Sequence, residues 1–132
     1  MNTTERKDRI LVVDDEQPVL DVLDAMLCDD YIVDTARDGA EALKLCRQHK
    51  YPAMIIDIAL PGRLNGFELV DALREVAPDA KFIMITGLAL NDADKQKALA
   101  VADALLMKPF DVDAIKALLR KDLRLAHMPH GG

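Results

Sequence analysis

Five residues scattered along the chain could do chemistry together: Asp14, Asp15, Asp57, Thr86 and Lys108. Each stands at or just beyond the end of a short β-rich run, with Asp14 and Asp15 after ILVV, Asp57 after AMII, Thr86 closing KFIMIT and Lys108 after ALLM. If those runs lie parallel, their carboxyl ends share one rim, where three carboxylates, a hydroxyl and an ammonium converge. Two carboxylates about 4 Å apart repel by up to ~4 kcal/mol at an effective dielectric of 20, so such a cluster calls for a cation. All-oxygen ligands favour a hard one, and a partly hydrated site of few carboxylates suits Mg²⁺. Zinc is disfavoured, because no Cys or His joins the set. Beside a metal, an Asp carboxylate can attack a phosphoryl donor in line, with Lys108 offsetting charge on the transferring oxygens, and the product is an aspartyl phosphate. Thr86 could then donate its hydroxyl to a phosphoryl oxygen and vacate space behind it, which supplies a switch. Singly, each residue has a plainer reading: an Asp pair caps a helix, Thr is a β-former, an exposed Lys is solvated. Their joint placement points to a site.

The runs that must position these residues are Ile10–Val13, Tyr31–Thr35, Ala53–Ile56, Lys81–Thr86 and Ala104–Met107. Each precedes a helical pattern. The first helix opens near Pro18, with Val19, Val22, Leu23, Met26 and Leu27 as its apolar stripe. Asp38 caps the second, whose stripe is Ala42, Leu43, Leu45 and Cys46; Asn65 precedes the third, with Phe67, Leu69, Val70 and Leu73, and Pro78 stops it. Asn91 caps a fourth ending near Val101, and Asp111 a fifth with Ile115, Leu118, Leu119 and Leu123 inward. Strand then helix, five times over, argues for an α/β fold with a doubly wound parallel sheet. ILVV and AMII are apolar throughout, as buried central strands are, whereas YIVDT carries a charge and reads as an edge. A flavodoxin-like order of 2-1-3-4-5 follows. The edge strand is expected to add nothing to the rim.

A chain of 132 residues fits one domain, here residues 1–126, with 127–132 as a fraying tail. Its net charge of −6 and the lack of a Lys/Arg cluster argue against direct nucleic-acid binding. No targeting segment or membrane span is evident at the amino end, so a cytoplasmic location is expected. Cys28 and Cys46 read as free core thiols in a reducing compartment. His127 and His130 read as solvated, and His49 as a complement to the second helix's dipole.

Four segments, VVDDE at Val12–Glu16, DIALPG at Asp57–Gly62, MITG at Met84–Gly87 and MKPF at Met107–Phe110, resemble the receiver domain of bacterial two-component response regulators, over about Arg9–Leu125. The resemblance implies that Asp57 is the phosphoacceptor, charged by a sensor histidine kinase or a histidine phosphotransfer protein. It implies that Asp14 and Asp15 hold Mg²⁺ together with Asp57 and the backbone carbonyl of Ala59. It further implies that Lys108 meets the phosphoryl group through a cis bond to Pro109, an arrangement proline alone makes accessible. The module would act as a phosphoacceptor that catalyses its own phosphorylation and dephosphorylation, not as an enzyme acting on a separate substrate. First-helix residues beside Pro18 would dock the donor. The fourth helix, fifth strand and fifth helix would form the face used for partners or for dimerisation, with Leu90, Ala98 and Leu105 as apolar candidates and core positions as the alternative.

Three departures from that family pattern matter. Leu105 occupies the place of a common Tyr or Phe, so the switch is expected to be one of packing, with a smaller surface change. PGRLNG, Pro61–Gly66, is one residue longer than the commoner loop and is similar to that of receivers attached to hybrid histidine kinases. Ala59 and Leu88 stand where relatives often carry polar side chains that orient water; neither can hydrogen-bond through its side chain, which predicts slow intrinsic dephosphorylation. Rival readings are weaker. A nucleotide-binding enzyme would need a glycine-rich phosphate loop, and neither GxGxxG nor GxxxxGK(S/T) occurs. A haloacid-dehalogenase-type phosphatase would need a second Asp where Ala59 stands, and a pseudo-receiver would not need the intact acids, threonine and lysine. The chain is either a single-domain phosphorelay shuttle or a fragment of a longer, hybrid-kinase-like protein.

Overall fold

In a computed structural model, residues 7–59, 66–87, 91–108 and 111–126 are described, without the side chains of residues 112 and 122–126. Strands and helices alternate: β1 (Arg9–Val13), α1 (Gln17–Leu27), β2 (Ile32–Ala36), α2 (Gly39–Gln48), β3 (Ala53–Asp57), α3 (Gly66–Val76), β4 (Lys81–Thr86), α4 (Asp92–Val101), β5 (Ala104–Met107) and α5 (Val112–Ala126). The five strands are parallel in the order β2-β1-β3-β4-β5, as expected.

The two-residue period of a strand divides the core in two. Leu11, Val13, Met54, Ile56, Phe82 and Met84 face one side, buried against Ala42 of α2, Leu69, Val70 and Leu73 of α3 and Ala98 of α4. Ile10, Val12, Ile55, Ile83 and Ile85 face the other, against Leu20, Leu23 and Leu27 of α1 and Ile115 and Leu119 of α5. Because central strands are apolar on both faces, each buried aliphatic contributes about 1.5–3 kcal/mol and the sheet becomes a rigid base for its carboxyl ends.

Local chemistry sets the helix starts. Asp38 Oδ1 accepts from the Glu41 N–H at 2.8 Å, Asn91 Oδ1 from Asp94 at 2.8 Å and Asp111 Oδ1 from Ala114 at 2.7 Å. These are the caps read from sequence. Asn65 lies outside the described residues, while α3 begins at Gly66 and stops two residues before Pro78.

Several details differ from the sequence reading. β2 runs one residue later, over Ile32–Ala36, because the Tyr31 N–H closes the end of α1 on the Leu27 carbonyl at 2.9 Å and Ala36 pairs with Val13. Val22 is 49% exposed, since Leu20, Leu23 and Leu27 set the inward face of α1 and Val22 is rotated off it. Cys28 is an exposed residue at the end of α1 and no core thiol; Cys46 is half-buried, and burial pushes its thiol pKa up to about 11. His49 stands just past the end of α2, with its ring edge-on to Tyr51. Of the apolar face candidates, Ala98 is buried and Leu105 half-buried; the exposed large apolar residues of α4 and β5 are instead Leu99 and Met107, which were not among them. Leu88, Leu90, Pro61, Pro109, His127, His130 and the Leu123 side chain lie outside the described residues and side chains.

Candidate functional site

β1, β3, β4 and β5 end side by side, and the residues singled out from sequence follow from that register. Asp14 is fully buried directly after β1; its N–H donates to the Ala36 carbonyl of β2 at 3.1 Å, and its Oδ1 accepts from the Glu16 N–H at 2.9 Å. Asp57 closes β3 at 3% exposure, and its Oδ1 accepts from the Ala59 N–H at 3.0 Å. Each carboxylate is thus oriented by an amide two residues ahead, leaving its second oxygen free to turn toward the rim.

Those second oxygens meet Lys108. Its Nζ donates to Asp14 Oδ2 at 3.1 Å and to Asp57 Oδ2 at 3.3 Å, and lies 3.8 Å from Glu16 Oε1. Lys108 is itself fixed by its own N–H, which donates to the Thr86 carbonyl at 2.7 Å where β5 leaves β4. Thr86 is buried at the end of β4. Burial and the Asp57 charge raise the Asp14 pKa above its ordinary value despite the Glu16 amide and Lys108. Burial would lower the Lys108 pKa, but the hydrogen bond it donates to Asp14 and the charge of Asp57 prevail and hold it above the ordinary value.

Ligand oxygens of Asp14, Asp15, Glu16 and Asp57 lie within 4.8 Å of one another. The set fits a hard divalent cation: it is all oxygen, contains no sulfur or imidazole, and grades from buried Asp14 through half-buried Asp15 to exposed Glu16, so that one side is open to water. Ala59 lies exposed at the same rim. Leu105 pairs with Met84 and packs against the same core as Ala98, two register steps from Thr86.

Sequence reasoning missed two residues here. Glu16 joins the acidic cluster, and its signal was the third acid of VVDDE. Arg37, directly after β2, donates from Nη2 to the Asp15 carbonyl at 3.1 Å, so the edge strand does contribute to the rim. Nothing in a single sequence announces that reach, although a cation ahead of the Asp38 cap was visible.

Comparisons with known proteins agree with this geometry. Residues 10–120 match the model of the response regulator receiver domain. A probable transcriptional regulator ycf27 of Guillardia theta is 36% identical over 122 residues, which are 91% of this chain and 47% of that protein. The response regulator MprA of Mycobacterium sp. (strain KMS) is 34% identical over 120 residues, 88% of this chain and 50% of that one. The chain therefore spans about half the length of the curated relatives it matches. Among solved structures, a CheY-like receiver domain protein from Methanospirillum hungatei superposes with a TM-score of 0.84 at 30% identity, covering 92% of this chain and 97% of that one. The response regulator TrrA of Thermotoga maritima, solved with Mg(2+)-BeF, does so with a TM-score of 0.77 at 36% identity, covering 87% and 98%. With the order β2-β1-β3-β4-β5 and the acids, threonine and lysine gathered at its carboxyl rim, the chain belongs to the response regulator receiver domains, the phosphoacceptor modules of two-component signalling.

Proposed function

We propose that this chain is a Mg²⁺-dependent phosphoacceptor in which Asp57 takes a phosphoryl group from a histidine kinase or histidine phosphotransfer protein and thereby switches a partner-binding face. The observation that carries the reading is the Lys108 ammonium between Asp14 and Asp57, at 3.1 and 3.3 Å, beside a four-carboxylate cluster. Asp57 Oδ attacks phosphorus as the bond to the donor nitrogen breaks, and the donor imidazole leaves with that electron pair. Asp14, Asp15, Asp57 and the Ala59 carbonyl would hold the metal, which when bound supplies positive charge beside the transferring oxygens. Lys108 exchanges its contact with Asp57 for one with the new phosphoryl group. The Thr86 hydroxyl reaches the same group, and Leu105 repacks into the space behind it. The acyl phosphate is lost slowly, because neither the Ala59 nor the Leu88 side chain can hydrogen-bond to orient water.

The module we propose occupies residues 1–126, works in the cytoplasm and contacts no nucleic acid itself. Among the described residues no helix is long and apolar enough to cross a membrane. The test is intact mass after incubation with Mg²⁺ and a small-molecule acyl phosphate. One added phosphoryl group is expected, absent in Asp57→Asn and after chelation, and lost faster in Ala59→Asn. No addition under conditions that label a control receiver would overturn the self-catalysed reading and favour a pseudo-receiver.

A further inference from the structure

Arg37 is exposed, yet its placement is built. It follows β2 directly, and its backbone N–H donates to Glu41 Oε1 at 2.8 Å while Asp38 Oδ1 accepts from the Glu41 N–H at 2.8 Å. The corner between β2 and α2 is thereby tied on both sides to the first turn of the helix. From this corner the guanidinium crosses to a segment 22 residues earlier in the chain and donates to the Asp15 carbonyl at 3.1 Å. Two peptides earlier the chain is held from the edge strand itself, by the Asp14 N–H on the Ala36 carbonyl at 3.1 Å. Two anchors from the edge strand therefore grip the turn that bears Asp14, Asp15 and Glu16.

We propose that Arg37 is a positioning residue for the divalent cation: by fixing the Asp15 peptide it aims the Asp15 carboxylate into the rim. The proposal rests on the receiver reading, and it concerns a residue that does not itself touch the metal. Two effects of the side chain oppose each other in sign. A cationic guanidinium near the cluster repels a metal ion, so that removing it should tighten binding by Coulomb's law alone. A fixed turn presents its ligand already ordered, so that removing the hydrogen bond should weaken binding. Outer-shell partners of metal ligands typically matter by about 10–100-fold, and an exposed one should matter less.

The experiment is calorimetric titration of Mg²⁺ into the metal-free full chain at fixed ionic strength, with Arg37→Ala, Arg37→Lys and Asp15→Asn, and with thermal unfolding of each metal-free variant. Wild type is expected to bind, Asp15→Asn to lose binding, and Arg37→Ala to bind roughly three- to tenfold more weakly, with Arg37→Lys recovering part of the loss. Metal-free melting should be unchanged in the Arg37 variants, since Arg37 contributes only its backbone N–H to the capping pair with Glu41. Equal or tighter binding by Arg37→Ala, no recovery with Lys, or a melting temperature that falls in step with affinity would overturn the proposal. Absence of binding by wild type would instead overturn the Mg²⁺-dependent phosphoacceptor reading on which it rests.

Discussion

At the scale of single residues, Asp14 shows how function and stability oppose each other. It is fully buried, and burial together with the charge of Asp57 raises its pKa. For an acid whose folded pKa lies above the unfolded one, the native state binds more protons between the two values, so stability falls as pH rises through that window. The penalty is complete above the folded pKa. Asp14→Asn removes the charge while keeping the shape, and the metal-free protein should therefore melt at a higher temperature at pH 7 and lose its Mg²⁺ affinity. Thermal unfolding with and without Mg²⁺ checks this; a lower melting temperature would mean that the hydrogen bond to Lys108 outweighs the repulsion. The raised Lys108 pKa fits the same picture, an ammonium kept charged between two acids.

At the scale of elements, the return from β3 to α3 is the tightest constraint. The Gly66 N–H donates to the Ile58 carbonyl at 2.9 Å, and a Cβ at Gly66 would stand 2.5 Å from the Asp57 carbonyl oxygen and 2.6 Å from the Ile58 Cα. Neither neighbour is a side chain that could swing away. Gly66→Ala should cost about 1–3 kcal/mol and disturb the Asp57 end of β3, read by urea unfolding and by reduced phosphoryl uptake. A change under about 0.5 kcal/mol would contradict it. Gly87 is the contrast, because a Cβ there would meet the Lys108 side chain at an ordinary 3.5 Å.

The opposite edge carries an acid-sensitive joint. Asp34 Oδ2 of β2 accepts from Arg9 Nη1 and from the Tyr51 hydroxyl, both at 2.7 Å. Burial raises the Asp34 pKa, but the hydrogen bonds from Tyr51 and Arg9 outweigh it and hold the carboxyl below its ordinary 3.8. A lowered folded pKa gives stability that is complete above the unfolded value and is lost as pH falls from about 3.8 through the folded value. Tyr51→Phe should lower stability at pH 7 by about 0.5–2 kcal/mol and flatten the loss below pH 4, measured by urea unfolding across that range. An acid limb as steep as wild type's would contradict it.

What the sequence made legible were features set within a few residues. The caps at Asp38, Asn91 and Asp111 and the strand-end acids fall in that class, since a strand plus a helix start is a local pattern. Contacts that a side chain makes after the chain has folded back were not legible: Arg37 on Asp15, Arg9 and Tyr51 on Asp34, and Arg74 Nη2 on the Val101 carbonyl at 2.6 Å. These depend on rotamer and reach across 17 to 27 residues of sequence separation, which no periodicity encodes.

At the scale of the whole molecule, the rim and the far face are joined through one packed layer. Thr86 ends β4, Leu105 pairs with Met84 in β5, and both Leu105 and Ala98 of α4 pack against the α3 side of the sheet. Arg74 ties the end of α4 to α3 through the Val101 carbonyl, and its guanidinium stacks 4.7 Å from the Phe82 ring centroid. Beyond this layer, Leu99 at 56% and Met107 at 44% exposure place two large apolar side chains on the outer surface of α4 and β5. In the switch we propose, charge at the rim would reach that surface by repacking a leucine. Mg²⁺ with beryllofluoride as phosphoryl mimic should shift the amide resonances of Leu105, Met107 and α4, while those of α2 stay in place. Unchanged resonances around Leu105 would contradict the packing switch.

The central claim is that phosphoryl transfer ends on Asp57, the carboxylate that shares Lys108 with Asp14. Hydride reduction of the phosphorylated chain followed by peptide mass mapping tests it most directly, because reduction converts an aspartyl phosphate to homoserine. The account predicts homoserine at position 57 alone, in the Mg²⁺-containing sample and not in the chelated one. Homoserine at Asp14 or Asp15 instead, or a phosphoryl mass that survives reduction on another residue type, would contradict it.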